Sequence, residues 1–255
     1  NRLCIGLDID PDRFPASRDK TIEGMEAFAK DIIEGTITFC PVYKPNFAFY
    51  ERYGSKGYAL LERIVDFING RSLVVADAKR GDIGNTSRQY ANAILNNMGC
   101  DAITVSPYMG KDAIEPFVEN IEKGVFILGI TSNAGAEEIQ NNNGDSLPLY
   151  QRVIKIANEL NENDNVGLVV GATQTHLMEI VQKKSKGLSW LVPGIGAQGG
   201  DLEQSISISN QGGVGIINIS RGILYADTGS MDDIIHSAKY YTKEIQKYLC
   251  NPITC

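Results

Sequence analysis

The sequence predicts a (β/α)8 barrel in a single domain. Three observations lead there: eight short runs rich in Val, Ile and Leu, helix-period sequence after each, and 255 residues without a Pro/Ser-rich linker or a shift in composition. Parallel strands covered on both faces need near-continuous apolar runs. Eight such units in about 250 residues have the size and rhythm of a (β/α)8 barrel. A doubly wound open sheet is the competing architecture, and periodicity alone does not exclude it.

The strands are expected, in order, at Leu3–Asp8, Val42–Asn46, Leu73–Lys79, Ala102–Ser106, Val125–Ile130, Val166–Gly171, Leu191–Ile195 and Val214–Ile219. The intervening sequence is amphipathic at helical spacing. Ile22, Met25, Ala29, Ile32 and Ile33 form one apolar stripe. Near the C-terminus, Ile234, Ile235, Ala238, Tyr241, Ile245 and Tyr248 form another, opposite charged residues. Two connections are long and polar or glycine-rich: residues 132–147 (SNAGAEEIQNNNGDSL) after the fifth strand, and residues 196–213 after the seventh. Long loops in a compact domain are usually functional, so both are expected to act as lids at the C-terminal rim.

Composition narrows the function. The chain is 43% hydrophobic and 22% charged, as expected of a globular protein with a sizeable core. No apolar run approaches the roughly 20 residues of a membrane-spanning helix. With 24 Lys and Arg against 31 Asp and Glu, the net charge of −7 argues against a general nucleic-acid binder. Five scattered cysteines without a Cys-x-x-Cys pair suit free thiols, and with no visible secretory signal the expected location is the cytoplasm. The two histidines, His176 and His236, sit in separate helical patterns, which leaves neither a His-rich metal centre nor a Ser-His-Asp triad to build. Trp190 opens a strand and reads as packing.

The clearest chemical signal is Asp77-Ala78-Lys79-Arg80-Gly81-Asp82-Ile83 at the end of the third strand. Asp77 and Lys79 are two apart and so share one side of a strand, while Asp82 falls in the turn that follows. Carboxylates around an ammonium favour its charged form and keep a proton available for donation. A solvated acid–base cluster would explain this motif alone. However, Asp8 ends the first strand and Lys44 the second, so three successive strands deliver charge to one rim.

A second site is expected near residue 196. Gly194-Ile195-Gly196-Ala197-Gln198-Gly199 formally matches the G-x-G-x-x-G dinucleotide fingerprint, but it follows the seventh strand instead of opening a βαβ unit. The next strand also ends in Asn218 and Ser220 where an acidic residue is required, so a nicotinamide cofactor is rejected. The better reading is a phosphate site, which barrels often build after strands seven and eight. The backbone N–H groups of Gly199 and Gly200 and the guanidinium of Arg221 are the expected anion donors.

These residues resemble the orotidine 5′-monophosphate decarboxylase family, in particular its longer bacterial subgroup. The resemblance rests on Gly6-Leu7-Asp8, Lys44-Pro45-Asn46-Phe47-Ala48-Phe49, Asp77-x-Lys79-x-x-Asp82-Ile83-Gly84-x-Thr86, Thr131-Ser132-Asn133, Pro193 through Gly200, and Ser220-Arg221-Gly222. It runs in order from residue 3 to about residue 226. The sequence departs from the pattern in lacking an arginine before Thr131 and a proline after Asn133, and in having Ser106 where asparagine is more usual.

The resemblance implies a homodimeric barrel that converts orotidine monophosphate to uridine monophosphate and CO2 without metal or cofactor. Lys79 would protonate C6, Asp77 would sit beside the substrate carboxylate, and Asp82 would enter the neighbouring subunit's site, with Ile83 and Thr86 near it. Lys44 and Asp8 would bind ribose hydroxyls, and Asn46 would join them in the substrate site. Ser132 and Thr131 would contact the pyrimidine, Pro193 and Ile195 would line its pocket, Gln198 would bridge base and phosphate, and Arg221 would hold the phosphate. Two alternatives stay open at this stage. One is a metal-dependent sugar-phosphate barrel sharing the D-x-K-x-x-D core, and the other a noncatalytic nucleotide-binding barrel.

Overall fold

The computed structural model describes residues 1–141, 147–185, 187–196 and 199–250. Eight parallel strands close into a barrel in sequence order: β1 (Leu3–Gly6), β2 (Val42–Lys44), β3 (Leu73–Arg80), β4 (Ala102–Val105), β5 (Gly124–Ile130), β6 (Val166–Val170), β7 (Ser189–Val192) and β8 (Gly215–Ile219). β1 pairs with β8, with Leu3 opposite Ile217, and this pairing rules out the open-sheet alternative.

The helices are α1 (Ile22–Thr36), α2 (Ala48–Glu51), α3 (Gly54–Ile68), α4 (Gly84–Ala91), α5 (Glu115–Val118), α6 (Ala136–Ile139), α7 (Leu149–Leu160), α8 (Thr175–Lys184), α9 (Leu202–Ser209), α10 (Arg221–Leu224) and α11 (Met231–Cys250). Local chemistry sets several of their ends. The Thr21 hydroxyl accepts from the Gly24 N–H to cap α1, and Asn69, at φ 47°, closes α3 with its N–H bonded to the Val65 carbonyl. Both expected apolar stripes face inward: Met25, Ala29, Ile32 and Ile33 are buried on α1, and Ile234, Ala238 and Ile245 on α11. None of the described helices is long and apolar enough to cross a membrane.

The core has two parts. A large cluster joins strand and helix faces and includes Trp190, only 1% exposed, as the packing reading expects. A second cluster of Cys4, Val42, Val75, Ala102, Phe126, Val169 and Leu191 is a layer within the barrel, one inward side chain from each strand β1–β7. Gly167 makes room for it, because a Cβ there would meet the Phe126 ring at 2.8 Å. Cys4, Cys40 and Cys100 are buried free thiols and Cys250 an exposed one; Cys255 lies outside the described residues.

All eight expected strands are present, with different ends. β1 and β2 stop two residues short of Asp8 and Asn46. Pairing continues there only through single contacts, such as Leu7 N–H to the Lys44 carbonyl at 2.9 Å and a bridge between Asn46 and Asp77.

Candidate active site

Alternation along each strand places a polar residue two positions beyond an apolar one of the inner layer. Val42 leads to Lys44 and Asn46, Val75 to Asp77, Ala102 to Thr104, and Cys4 through Gly6 to Asp8. A cavity of about 400 Å³ opens over this layer. Asp8, Lys44, Asn46, Asp77, Lys79 and Thr104 line it from β1–β4, and Thr131, Ser132, Pro193, Ile195 and Arg221 from β5–β8. Leu128, Val169 and Leu191 add an apolar floor.

Asp77 is the centre of the polar half. Its Oδ2 accepts from Lys44 Nζ at 2.7 Å, and its Oδ1 from Lys79 Nζ at 2.5 Å and from the Thr104 hydroxyl at 3.1 Å. Burial pushes the Asp77 carboxyl up, but the two ammonium groups outweigh it and hold the acid well below the usual carboxylate range. The same balance acts on Lys44, which is only 3% exposed. Burial disfavours its charge, and Asp77 and Asp8 overcome this and hold it above the ordinary lysine value. Lys79 is different: about half its side chain remains exposed, so its ammonium reaches both Asp77 and the open cavity.

The route by which Lys79 reaches Asp77 corrects the simple strand reading. Lys79 has φ 47°, a left-handed conformation that costs a non-glycine residue about 1 kcal/mol. Between Ala76 and Arg80 the β3–β4 register shifts, and the two side chains meet across this bulge instead of along a regular strand. Arg80 braces it: its Nη1 donates to the Ala78 carbonyl at 3.1 Å, its Nη2 bonds Glu51, and its guanidinium lies over the rings of Phe47 and Tyr90.

Other expected residues fall into place unequally. Among the described residues Lys79 forms a salt bridge with Asp77 and none with Asp82; Asp82 instead accepts from its own neighbour, Ile83 N–H, at 2.7 Å. Asp82, Ile83 and Thr86 lie outside the cavity lining, and Ile83 is 60% exposed. The expected anion cradle at Gly199 and Gly200 is also corrected. Their N–H groups are committed to the Gly196 carbonyl at 2.8 Å and the Gly194 carbonyl at 3.0 Å. Arg221 does line the cavity, and among the described residues it forms no salt bridge. Gln198 lies outside the described residues, as do 142–146 of the first loop. His176 and His236 are exposed on helices, as expected. Among the described residues no group of three or more His, Cys, Asp or Glu is arranged to hold a metal.

Against this geometry, comparison with known proteins is decisive. The model of the orotidine 5′-phosphate decarboxylase / HUMPS family matches residues 1–230. The chain belongs to that family. It is 46% identical over 236 residues to an orotidine 5′-phosphate decarboxylase of Dehalococcoides mccartyi, covering 89% of this chain and 85% of the relative. A Leishmania donovani OMP decarboxylase structure superposes with a TM-score of 0.84 at 36% identity, over 96% of this chain and 92% of the other. The Leishmania donovani UMP synthase matches at 0.87 and 38% identity over 97% of this chain; the chain spans about half, 53%, of that larger protein.

Sequence reasoning missed several contributors. Thr104 and Asn218 line the cavity and were legible from the period of two, counted on from Ala102 and Ile216. Gln140 had no such signal. From the loop after β5 it donates through Nε2 to the Thr131 hydroxyl at 2.8 Å and accepts at Oε1 from the Thr131 N–H at 2.9 Å.

Proposed function

We propose that this chain decarboxylates orotidine 5′-monophosphate to uridine 5′-monophosphate and CO2, with Lys79 as the proton donor to C6, in the de novo synthesis of pyrimidine nucleotides. The observation that carries the reading is the buried Asp77 carboxylate held between Lys44 and Lys79 in the wall of the cavity. When the C6–carboxylate bond breaks, its electron pair stays on C6 in the plane of the ring, where no π system spreads it. A cation already in place is then the main means of stabilisation, and it costs no reorganisation as the charge develops. Lys79 is that cation; its N–H proton goes to C6, CO2 departs, and the neutral amine recovers a proton from solvent. Asp77 fixes the ammonium and stands beside the departing carboxylate.

Lys44 and Asp8, with Asn46, take the ribose hydroxyls. An unpartnered, buried Asp8 Oδ1 in the cavity wall supports this, since it has an acceptor to offer. Thr131 and Ser132 meet the pyrimidine, Pro193 and Ile195 line its pocket, and Arg221 and Gln198 hold the phosphate. Binding energy from the phosphate, remote from C6, goes into closing the connections after β5 and β7 over one barrel domain. α9 (Leu202–Ser209), with Ile206 and Ile208 buried, fills much of the expected loop 196–213, so the lid there is shorter than the sequence implies. Asp82, Ile83 and Thr86, which do not line this chain's own cavity, complete the site of a second subunit in a cytoplasmic homodimer. The chemistry as proposed needs neither metal nor cofactor.

The test is the loss of orotidine monophosphate followed by ultraviolet absorbance, with and without EDTA. Rapid conversion to uridine monophosphate that ignores the chelator is expected. Folded protein that leaves the substrate untouched, or that stops with EDTA, refutes the reading.

A further inference from the structure

Thr104 occupies an unusual place in the barrel. From Ala76 to Arg80, β3 advances four residues, while its partner β4 advances only two, from Ile103 to Val105. Thr104 is therefore the single β4 residue across from Asp77, Ala78 and Lys79. A bulge of this kind strips the ladder of a main-chain acceptor, and a buried N–H left without one is costly. The Thr104 hydroxyl fills the vacancy: it accepts from the Lys79 N–H at 3.0 Å and donates to Asp77 Oδ1 at 3.1 Å. Main-chain pairing resumes directly afterwards, with the Ser106 N–H on the Arg80 carbonyl at 2.7 Å.

We infer that Thr104 is a positioning residue for proton transfer, holding the Lys79 backbone in its left-handed turn and the Asp77 carboxylate against the Lys79 ammonium at the same time. The inference rests on the proposed role of Lys79. Thr104 is only 1% exposed, so its hydroxyl acts through these two neighbours. The Lys79 side chain is long and half exposed, and its anchoring comes from its base and its carboxylate partner. One hydroxyl serves both. Without it, the main chain is free to relax out of a strained conformation, and the ammonium loses its alignment with C6.

The test compares Thr104→Val, which keeps the shape and removes both hydrogen bonds, with Thr104→Ser, which restores the hydroxyl. For the valine variant kcat should fall about ten- to a hundredfold, the size of effect that small misplacements of catalytic groups produce, while KM stays near wild type. Uptake of deuterium at C6 of uridine monophosphate in D2O, which reads the proton transfer in reverse, should slow in parallel. The serine variant should recover most of both rates. A valine variant with wild-type kcat and exchange, or a serine variant as slow as valine, overturns the inference. Should valine fail to fold, Thr104→Ala takes its place against serine with the same expectations. Lys79→Ala serves as the control: if it still turns over and exchanges, the role of Lys79 is what has failed.

Discussion

Asp77 shows how a single residue can make an expensive arrangement stable. Burying one carboxylate or one ammonium alone is unfavourable, yet Lys44, Asp77 and Lys79 each supply what the others lack. The sign of the pH dependence follows. The folded-state pKa of Asp77 lies below the unfolded value of about 3.9, so its contribution is complete above that pH and is lost as pH falls through the folded value. Lys44 is shifted upward, so its contribution is complete below about 10.4 and is lost as pH rises through its folded value. The melting temperature of Asp77→Asn should therefore lie below wild type by a gap that is flat between about pH 5 and pH 9 and narrows below about pH 4. A gap that closes near neutrality would contradict this balance. Arg221 should behave differently, since it lines the cavity from the end of β8 and among the described residues forms no salt bridge with the acid–base array. Arg221→Ala should lower kcat/KM about tenfold or more and weaken binding of uridine monophosphate, as expected for loss of a hydrogen bond to a charged group, with little change in melting temperature. Unchanged kinetics would place the phosphate elsewhere.

At the scale of elements, the rim is assembled from strand ends that are no longer fully paired, and side chains take over from the ladder. Gln140 is the clearest case. Placed just after α6, it grips both the N–H and the hydroxyl of Thr131 at the end of β5, and its own carbonyl accepts from the Tyr150 N–H of α7 at 3.2 Å. The connection after β5 is thus tied at once to the cavity wall and to the helix that follows. Gln140→Ala removes two hydrogen bonds, each worth about 1 kcal/mol net, so kcat/KM should fall about five- to thirtyfold with KM carrying most of the change. A loss confined to kcat would mean that the tether does not order the pyrimidine end of the site. Chain patterning alone made the connection visible as a long polar loop, but the partner of Gln140 is set by how α6 folds back.

For the whole molecule, the telling fact is the separation of Asp82 from Lys79. Only three positions apart in sequence, they diverge because the bulge turns Lys79 into the cavity while the chain leaves β3 for α4. Ser87 fixes that exit: its hydroxyl donates to the Ala113 carbonyl at 2.8 Å and accepts from the Asp82 N–H at 3.1 Å. If Asp82 completes a neighbour's site, Lys79→Ala and Asp82→Ala proteins, each inactive alone, should regain about a quarter of wild-type activity when refolded together as random dimers, since each mixed dimer holds one intact site. A mixture that stays inactive would confine both residues to one subunit.

The amino-acid sequence by itself determined the eight strands and the charged rim, because these follow from short-range rules. Apolar runs must be covered, alternation of two sends Lys44 and Asp77 to the same side as the inner layer, and strand ends collect at one rim. Its motifs also carried the family resemblance that the comparisons bear out. What only the tertiary structure decided were matters of competition between partners distant in the chain. The Gly199 and Gly200 amides could face an anion or the loop's own carbonyls, and folding commits them to Gly196 and Gly194. Thr104 could have been one more β-branched strand residue, and only the register against β3 makes its hydroxyl the acceptor for Lys79. Local sequence prescribes which groups are available, while the closed barrel decides which of them meet, because pairing across 25 or more residues depends on where every intervening strand and helix has packed.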